Sequence, residues 1–285
     1  MARVCVVGSV NMDVLFDVSA LPGPGETVLA SAVRSEPGGK GGNQAVAAAR
    51  AGADVAMVAA LGDDAAGHAL RTHLSDNGIR LDGLVTLPVP SGTASIVVDA
   101  GAENMIVVAP GANAHLTLGS PRLRDIVARA DVVLLQLEIP VDTAVVAARQ
   151  ARAAGATVIV NASPSCADSD AMADLARVTD VVVVNEAEAE SWHWPVAHLV
   201  TTRGPRGASL ESDGARIDVS APPVEAVDTT GAGDVFAGVL AADWNDDHEL
   251  AVRRACAAGA LATLVPGAGD CAPSAEAIDD VLRCD

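Results

Sequence analysis

The chain has no tyrosine, two phenylalanines and a single lysine, Lys40, among 18 basic residues, against 37 Asp and Glu. A formal net charge of -19 excludes a general affinity for nucleic acid or anionic membranes, because neutralising phosphates needs clustered Lys and Arg. A phosphorylated ligand must then be held locally, by helix N-termini, a divalent cation or a few placed cations. The missing tyrosine and scarce lysine read as compositional bias. Long apolar runs are also absent: none approaches the ~20 residues that span a bilayer, so no membrane partner is expected. The opening stretch, MARVCVVGSVNMDVLF, has a short apolar run broken by Asp13 with no cleavage-like segment after it, and no signal peptide is expected. Cys5, Cys166, Cys256, Cys271 and Cys284 are odd in number and lack paired spacing, which opposes a disulfide framework or zinc site and fits a reducing cytoplasm. His68, His73, His115, His193, His198 and His248 show no metal-ligand spacing and read as surface or loop residues.

What is present is an α/β pattern. At 285 residues, half of them hydrophobic, the chain can bury a substantial core. The Val- and Ile-rich runs RVCVVG, ADVAMVAALG, DVVLLQLE, ATVIVNASP, DVVVVNEAEAE and AHLVTTRG are separated by helical patterns. Continuous rather than alternating apolar strands predict a mostly parallel sheet covered on both faces. Ligands of such sheets sit beyond the carboxyl ends of the strands, where these runs give way to Asn11, Asp13, Glu138, Asn161, Asn185 and Thr202. Two stretches break the rhythm: Asp13 to Arg34 reads as short strands around a Pro-Gly turn, and GTASIVVDAGAENMIVVAPGAN as a hairpin. Together they predict a small second sheet, placed as a lid that excludes water.

Two glycine clusters carry the chemistry. In AVDTTGAGDVFAGVLAA, the turn Gly231 to Gly233 opens a helix whose first residue or so is Asp234. Converging backbone N–H groups and the helix dipole stabilise an anion there, and Asp234 is placed to accept the proton of an attacking hydroxyl. The plainer reading is an ordinary Asp favoured by the dipole. In EPGGKGGNQAVAAARAGA, Gly38, Gly39, Gly41 and Gly42 surround Lys40, and Asn43 and Gln44 begin a helix. The loop is neither a Walker loop nor a dinucleotide turn. It reads as a ligand loop, or as a glycine turn with an incidental lysine. A compact charge on a flexible stem suits a tight loop better than the bulkier guanidinium fork.

With GSVNMD, PGETV, GGKGGNQAVAAARAGA, GDDAAG, GANAHL, LLQLEIP, NEAEAE, TTRGPRGA and DTTGAGDVFAG in order over nearly the whole length, the chain resembles the ribokinase (PfkB-type) carbohydrate kinase family. The resemblance implies one kinase domain over 1–285, a three-layer α/β/α sandwich with lid strands from about 13–36 and 92–110, and a homodimer formed through the lid. It implies ATP-dependent phosphorylation of D-ribose on its primary hydroxyl. Asn11, Asp13, Gly39, Lys40, Asn43 and Glu138 then hold the sugar, Asp234 is the base, and Gly231, Ala232 and Gly233 form the anion hole. Asn185, Thr202, Arg203, Gly204, Pro205, Arg206, Gly207, Gly233 and Cys256 line the nucleotide. Asn185 and Glu188, the N-x-x-E element, organise magnesium through water. A monovalent cation, potassium in similar enzymes, is held near Asp228, Thr230, Ala262, Val265 and Gly267. Cys271 stands near that cation where similar chains tend to have serine. A free aspartate with pKa ~3.9 is a weak base toward an alcohol, so Asp234 orients the hydroxyl and takes its proton late.

The segment from Asn185 to Thr202 is shorter than in similar chains, and there Trp192 and Trp194 supply either apolar cover or a contact with another chain. Arg203 and Arg206 are cations near the phosphates or solvated loop residues. Two rival functions stand beside the ribose reading. One is a kinase for deoxyribose or a nucleoside such as adenosine or pseudouridine. The other is a sugar- or nucleotide-sensing protein, which the retained Asp234 opposes.

Overall fold

A computed structural model describes residues 1–101, 103–165, 169–244 and 247–284, with the backbone alone for Cys284. Cys166 lies outside these described residues. From the N-terminus come β1 (Arg3–Val7), β2 (Asn11–Asp17), β3 (Ala32–Gly38), α1 (Lys40–Arg50), β4 (Asp54–Gly62), α2 (Ala65–Asp76) and β5 (Arg80–Leu87). The middle holds β6 (Gly92–Val98), β7 (Asn104–Ala109), α3 (Pro121–Ala128), β8 (Val132–Gln136), α4 (Val141–Ala153), β9 (Thr157–Asn161) and α5 (Asp170–Ala176). Then follow β10 (Val181–Asn185), α6 (Glu186–Ala189), β11 (His198–Thr202), β12 (Ala208–Ser212), β13 (Ala215–Val219), α7 (Ala232–Asp243), α8 (His248–Ala262) and α9 (Ala275–Cys284).

The main sheet runs β13-β12-β11-β10-β9-β8-β1-β4-β5. It is parallel from β11 to β5, with β12 and β13 antiparallel at one edge. Side-chain alternation builds the two cores: Val4 and Val6 of β1 face the layer of α1, α2, α7, α8 and α9, while Cys5 and Val7 face α3, α4 and α5. That double coverage is why β10 reads VVVV with all four valines buried. All six predicted strands are present. β5, β12 and β13 were not anticipated, because none is a continuous buried apolar run: β5 and β13 are the exposed edge strands of the sheet, and β12 beside β13 is buried only over its first three residues.

The second sheet is β3-β2-β6-β7. Asn11 and Asp13 belong to its β2, past a short break after β1, rather than to the end of a main-sheet strand. The β6–β7 turn is tied by Asp99 Oδ1, which accepts from Gly101 N at 2.8 Å and Glu103 N at 3.0 Å. In the shortened segment, Trp192, Trp194 and Val196 pack on the α3–α5 core, and Trp192 Nε1 donates to the Trp194 carbonyl at 2.9 Å. The tryptophans therefore act as apolar cover. His198 is not a surface or loop residue: it lies in β11, half-buried, edge-on to Trp244 and His248, which stack at 4.1 Å. Among the described residues no cluster of His, Cys, Asp or Glu has metal-site geometry, and no helix is long and apolar enough to cross a membrane.

Candidate active site

Strand order reverses at β1, with β8 and β9 on one side and β4 and β5 on the other, and the glycine-led helices α1 and α7 start near the carboxyl ends of these strands. Gly39 has φ 84°, and a Cβ there would lie 2.6 Å from Asn11 N, so only glycine lets the chain turn into α1 against β2. Helix α1 begins at Lys40 itself, so Asn43 and Gln44 stand one turn inside it rather than at its start. Likewise α7 begins at Ala232 and Asp234 is its third residue. A Cβ on Gly238 would meet Gln44 O at 2.4 Å; its absence lets the two helices touch. That contact carries Asn43 and Gln44 to Asp234. Asn43 Nδ2 donates to Oδ2 at 3.0 Å and Gln44 Nε2 donates to Oδ1 at 2.9 Å, on a carboxylate only 9% exposed.

Beside Asp234 the predicted sugar residues converge. Glu138 Oε2 accepts from Ser9 Oγ at 2.5 Å and from Lys40 N at 3.2 Å, which fixes the start of α1 over the end of β8. Asn11 Oδ1 accepts from Asn113 Nδ2 at 2.7 Å, and Asn113 is itself held by the backbone of Val10. Asp13 packs against Gly38, where a Cβ would fall 2.1 Å from Oδ2, and its buried Oδ1 has no partner among the described residues. A buried acceptor without a donor is the signature of a site that awaits one. Lys40 Nζ also has no partner among the described residues. Ser9 and Asn113 were missed in the sequence. Asn113 sits within the quoted GANAHL stretch, but no local spacing connects it to Asn11, 102 residues away.

Burial pushes the Asp13 carboxyl up to about 7, and the negative charges of Glu138, Asp234 and Glu36 push the same way. A carboxyl whose folded pKa lies above its unfolded value of 3.8 favours the fold at low pH, and that contribution is lost as pH rises through about 7. The ligand-free protein should therefore lose more thermal stability between pH 5 and pH 8 than Asp13→Asn does. Parallel loss in both proteins, read by scanning calorimetry, would contradict this.

On the other side of Asp234 lies a cavity of about 870 Å³. Asn185, Thr202, Gly204, Pro205, Gly207, Gly233 and Cys256, the residues expected at a nucleotide, line it together with apolar Pro222, Val224, Phe236 and Ala260. Arg203 and Arg206 do not. Arg203 turns to Asp218 at 2.9 Å and the Ala208 carbonyl at 3.0 Å, and Arg206 pairs at 2.6 Å with Glu186, which does line the cavity. Burial pushes the Cys256 thiol up to about 12, so it is a neutral wall of the cavity. The N-x-x-E element is a capping box: Asn185 Oδ1 accepts from Glu188 N at 2.8 Å and Glu188 Oε2 accepts from Asn185 N at 2.9 Å. It leaves Glu188 Oε1 and a lone pair on Asn185 Oδ1, hard oxygen donors that fit a hydrated magnesium ion.

Asp228 ties the turn before α7 to the loop after α8, since Oδ1 accepts from Thr230 N and Oδ2 from Gly267 N, each at 2.9 Å. Ala262 O accepts from Val265 N at 3.2 Å. The carbonyls here suit a hard monovalent cation, whereas Cys271 does not. Its buried thiol, pushed up to about 11, lies 3.4 Å from Ala268 O and 3.9 Å from Thr230 O as a weak donor.

The sequence profile of the pfkB family carbohydrate kinases matches residues 1–275. A ribokinase of Bacillus subtilis is 35% identical over 296 residues, which cover 99% of this chain and 100% of its own. A deoxyribokinase of Salmonella typhi is 30% identical over 302 residues and 98% of each chain. Among solved structures, an Arabidopsis thaliana ribokinase complexed with ribose and ATP matches with a TM-score of 0.90, at 30% identity and 99% coverage of both chains. The profile covers the chain almost end to end, and with a buried carboxylate in the first turn of the glycine-led helix α7 beside a polar pocket, the protein is a member of the pfkB family of carbohydrate kinases.

Proposed function

We propose that the protein transfers the γ-phosphoryl group of ATP to the primary hydroxyl of D-ribose. The observation that carries this is the position of Asp234, third residue of α7, between the Asn11–Asp13–Glu138 pocket and Gly233 at the wall of the cavity. The sugar oxygen attacks the γ-phosphorus, the bond from that phosphorus to the β–γ bridging oxygen breaks, ADP departs, and the hydroxyl proton passes to Asp234. Backbone N–H groups of Gly231, Ala232 and Gly233 stabilise the charge on the transferring oxygens. Asn185 and Glu188 are the proposed holders of magnesium through water, which supplies further neutralisation of phosphate charge when bound. The carbonyls of Thr230, Ala262, Val265 and Gly267, with Asp228, are the proposed monovalent-cation ligands, potassium by preference, with Cys271 outside the set. The second sheet is the proposed lid, and the setting is cytoplasmic.

The test is ADP release with ATP and magnesium across ribose, deoxyribose, fructose, adenosine and pseudouridine, with and without potassium. Turnover should be greatest with ribose; turnover with a nucleoside alone would move the assignment within the family. Lys40→Arg should raise the KM for ribose at least about fivefold with a smaller change in kcat, since the bulkier fork crowds the glycine loop. An unchanged KM would make the identity of Lys40 incidental.

Dimerisation through the second sheet has its own support. Val33, Phe16, Val97 and Met105 stand in register across all four strands, and Ser35, Val14, Ser95 and Val107 form the next row, on the face opposite Asp13. Val33 is 63% and Val107 64% exposed, an apolar face of the kind that a second chain covers. Sedimentation should give a dimer that Val107→Asp dissociates; a monomer at micromolar concentration would contradict the proposal.

A further inference from the structure

Asp234 is held by an amide that has no freedom to turn, and this has a consequence for the reaction. Gln44 and Gln136 are fully buried, and Asn161 is nearly so. Gln136 Nε2 donates to Gln44 Oε1 at 2.6 Å, opposite the NH2 group of the Gln44 amide. The two hydrogens of that group go to Asp234 Oδ1 at 2.9 Å and to Asn161 Oδ1 at 3.0 Å. Asn161 in turn donates Nδ2 to the Val183 carbonyl on β10 at 3.2 Å, so its oxygen can only face Gln44. Three side-chain amides from α1, β8 and β9 thus form a directional chain anchored on a backbone carbonyl of the main sheet. Asn43, the other donor to Asp234, has no such anchor among the described residues and belongs to the sugar pocket.

We propose that Gln44 is the positioning residue for Asp234. It holds Oδ1 through a donor whose orientation the core dictates, so that Oδ2 faces the sugar hydroxyl throughout the catalytic cycle. The inference rests on the reading of Asp234 as the base. A carboxylate held in the plane of the incoming hydroxyl needs no reorientation as the phosphoryl group moves, and small angular errors at such a position cost rate rather than affinity. Asn161, tied to the Val183 carbonyl, acts one step further out as the part that prevents the Gln44 amide from flipping, and Gln136, whose Oε1 has no partner among the described residues, follows the orientation of Gln44.

Gln44→Met keeps the length of the side chain and removes the donor. The result expected is a fall in kcat of about tenfold or more, with the KM for ribose within about threefold of the parent. A purely structural Gln44 would lower melting temperature and leave kcat per folded molecule unchanged, so a folded Gln44→Met with kcat within about twofold of the parent overturns the proposal. Gln44→Asn, one methylene short, is expected to give no rescue; full activity in it would also overturn the proposal. Gln44→Glu keeps the shape and serves if the Met variant does not fold. Placing a second carboxylate against Oδ1 should move the acidic limb of the kcat profile up by about one pH unit or more, and an unmoved limb overturns the proposal. Asp234→Asn, assayed beside them, separates the two ideas. If it retains turnover, the base reading fails; if it is inactive while the Gln44 variants match the parent, only the positioning role fails.

Discussion

Asp234→Asn is expected to lower turnover by ~10²-fold or more while the protein stays folded and binds ribose within a few-fold of the parent. The substitution is nearly isosteric and removes both the charge and the proton acceptor. Its effect on the surroundings follows from the hydrogen bonds. The oxygen of the introduced amide must face Gln44, whose own amide cannot flip, and its NH2 group must face Asn43, which can turn its oxygen inward. The pocket therefore tolerates the change at the expense of one reoriented amide, and Asn11 and Glu138 of the proposed sugar pocket keep their partners. The loss falls on kcat. Near-normal turnover would remove Asp234 from the mechanism.

Gly233→Val should be as damaging to turnover, by ~10²-fold or more, without harm to the fold. A Cβ at Gly233 meets nothing within 4 Å and projects from a residue that lines the 870 Å³ cavity. The backbone of α7 tolerates valine there at least as well as glycine by intrinsic propensity. The branched side chain then occupies the space before the helix N-terminus in which the transferring phosphoryl group is proposed to lie. Gly231 gives the contrast. It has φ 78°, and a Cβ there would lie 2.8 Å from Ala268 Cα, so Gly231→Val strains the turn and loses stability together with activity. A pair of melting curves and ADP-release rates distinguishes them; a Gly233→Val protein with parental turnover would place the phosphoryl group elsewhere.

The main sheet was legible in the sequence because its central strands are buried on both faces and so are written as uninterrupted Val and Ile. The sites at its carboxyl edge were legible for a related reason: apolar runs that end on Asn, Glu or Thr announce where solvent or a ligand begins. Helix starts were less so. Asn43, Gln44 and Asp234 were read as lying at or near helix starts, yet glycines at 39 and 231 with positive φ let each helix begin two or three residues earlier. Gln44 is buried one turn inside α1, where that helix meets α7. The amide chain from Gln136 through Gln44 to Asn161 was invisible, because its members lie 92 and 117 residues apart and each alone is an ordinary polar residue. Arg203 and Arg206 were left open between phosphate cations and solvated loop residues, because no local spacing announces that Arg203 meets Asp218 and Arg206 meets Glu186.

Phosphorus NMR tests most directly which bond is made. The protein incubated with ATP, magnesium and D-ribose should show ADP formed in step with one phosphomonoester whose signal is split by the two hydrogens on the sugar's C5. A phosphate coupled instead to the single anomeric hydrogen, or ADP without any sugar phosphate, would contradict the proposed transfer to the primary hydroxyl.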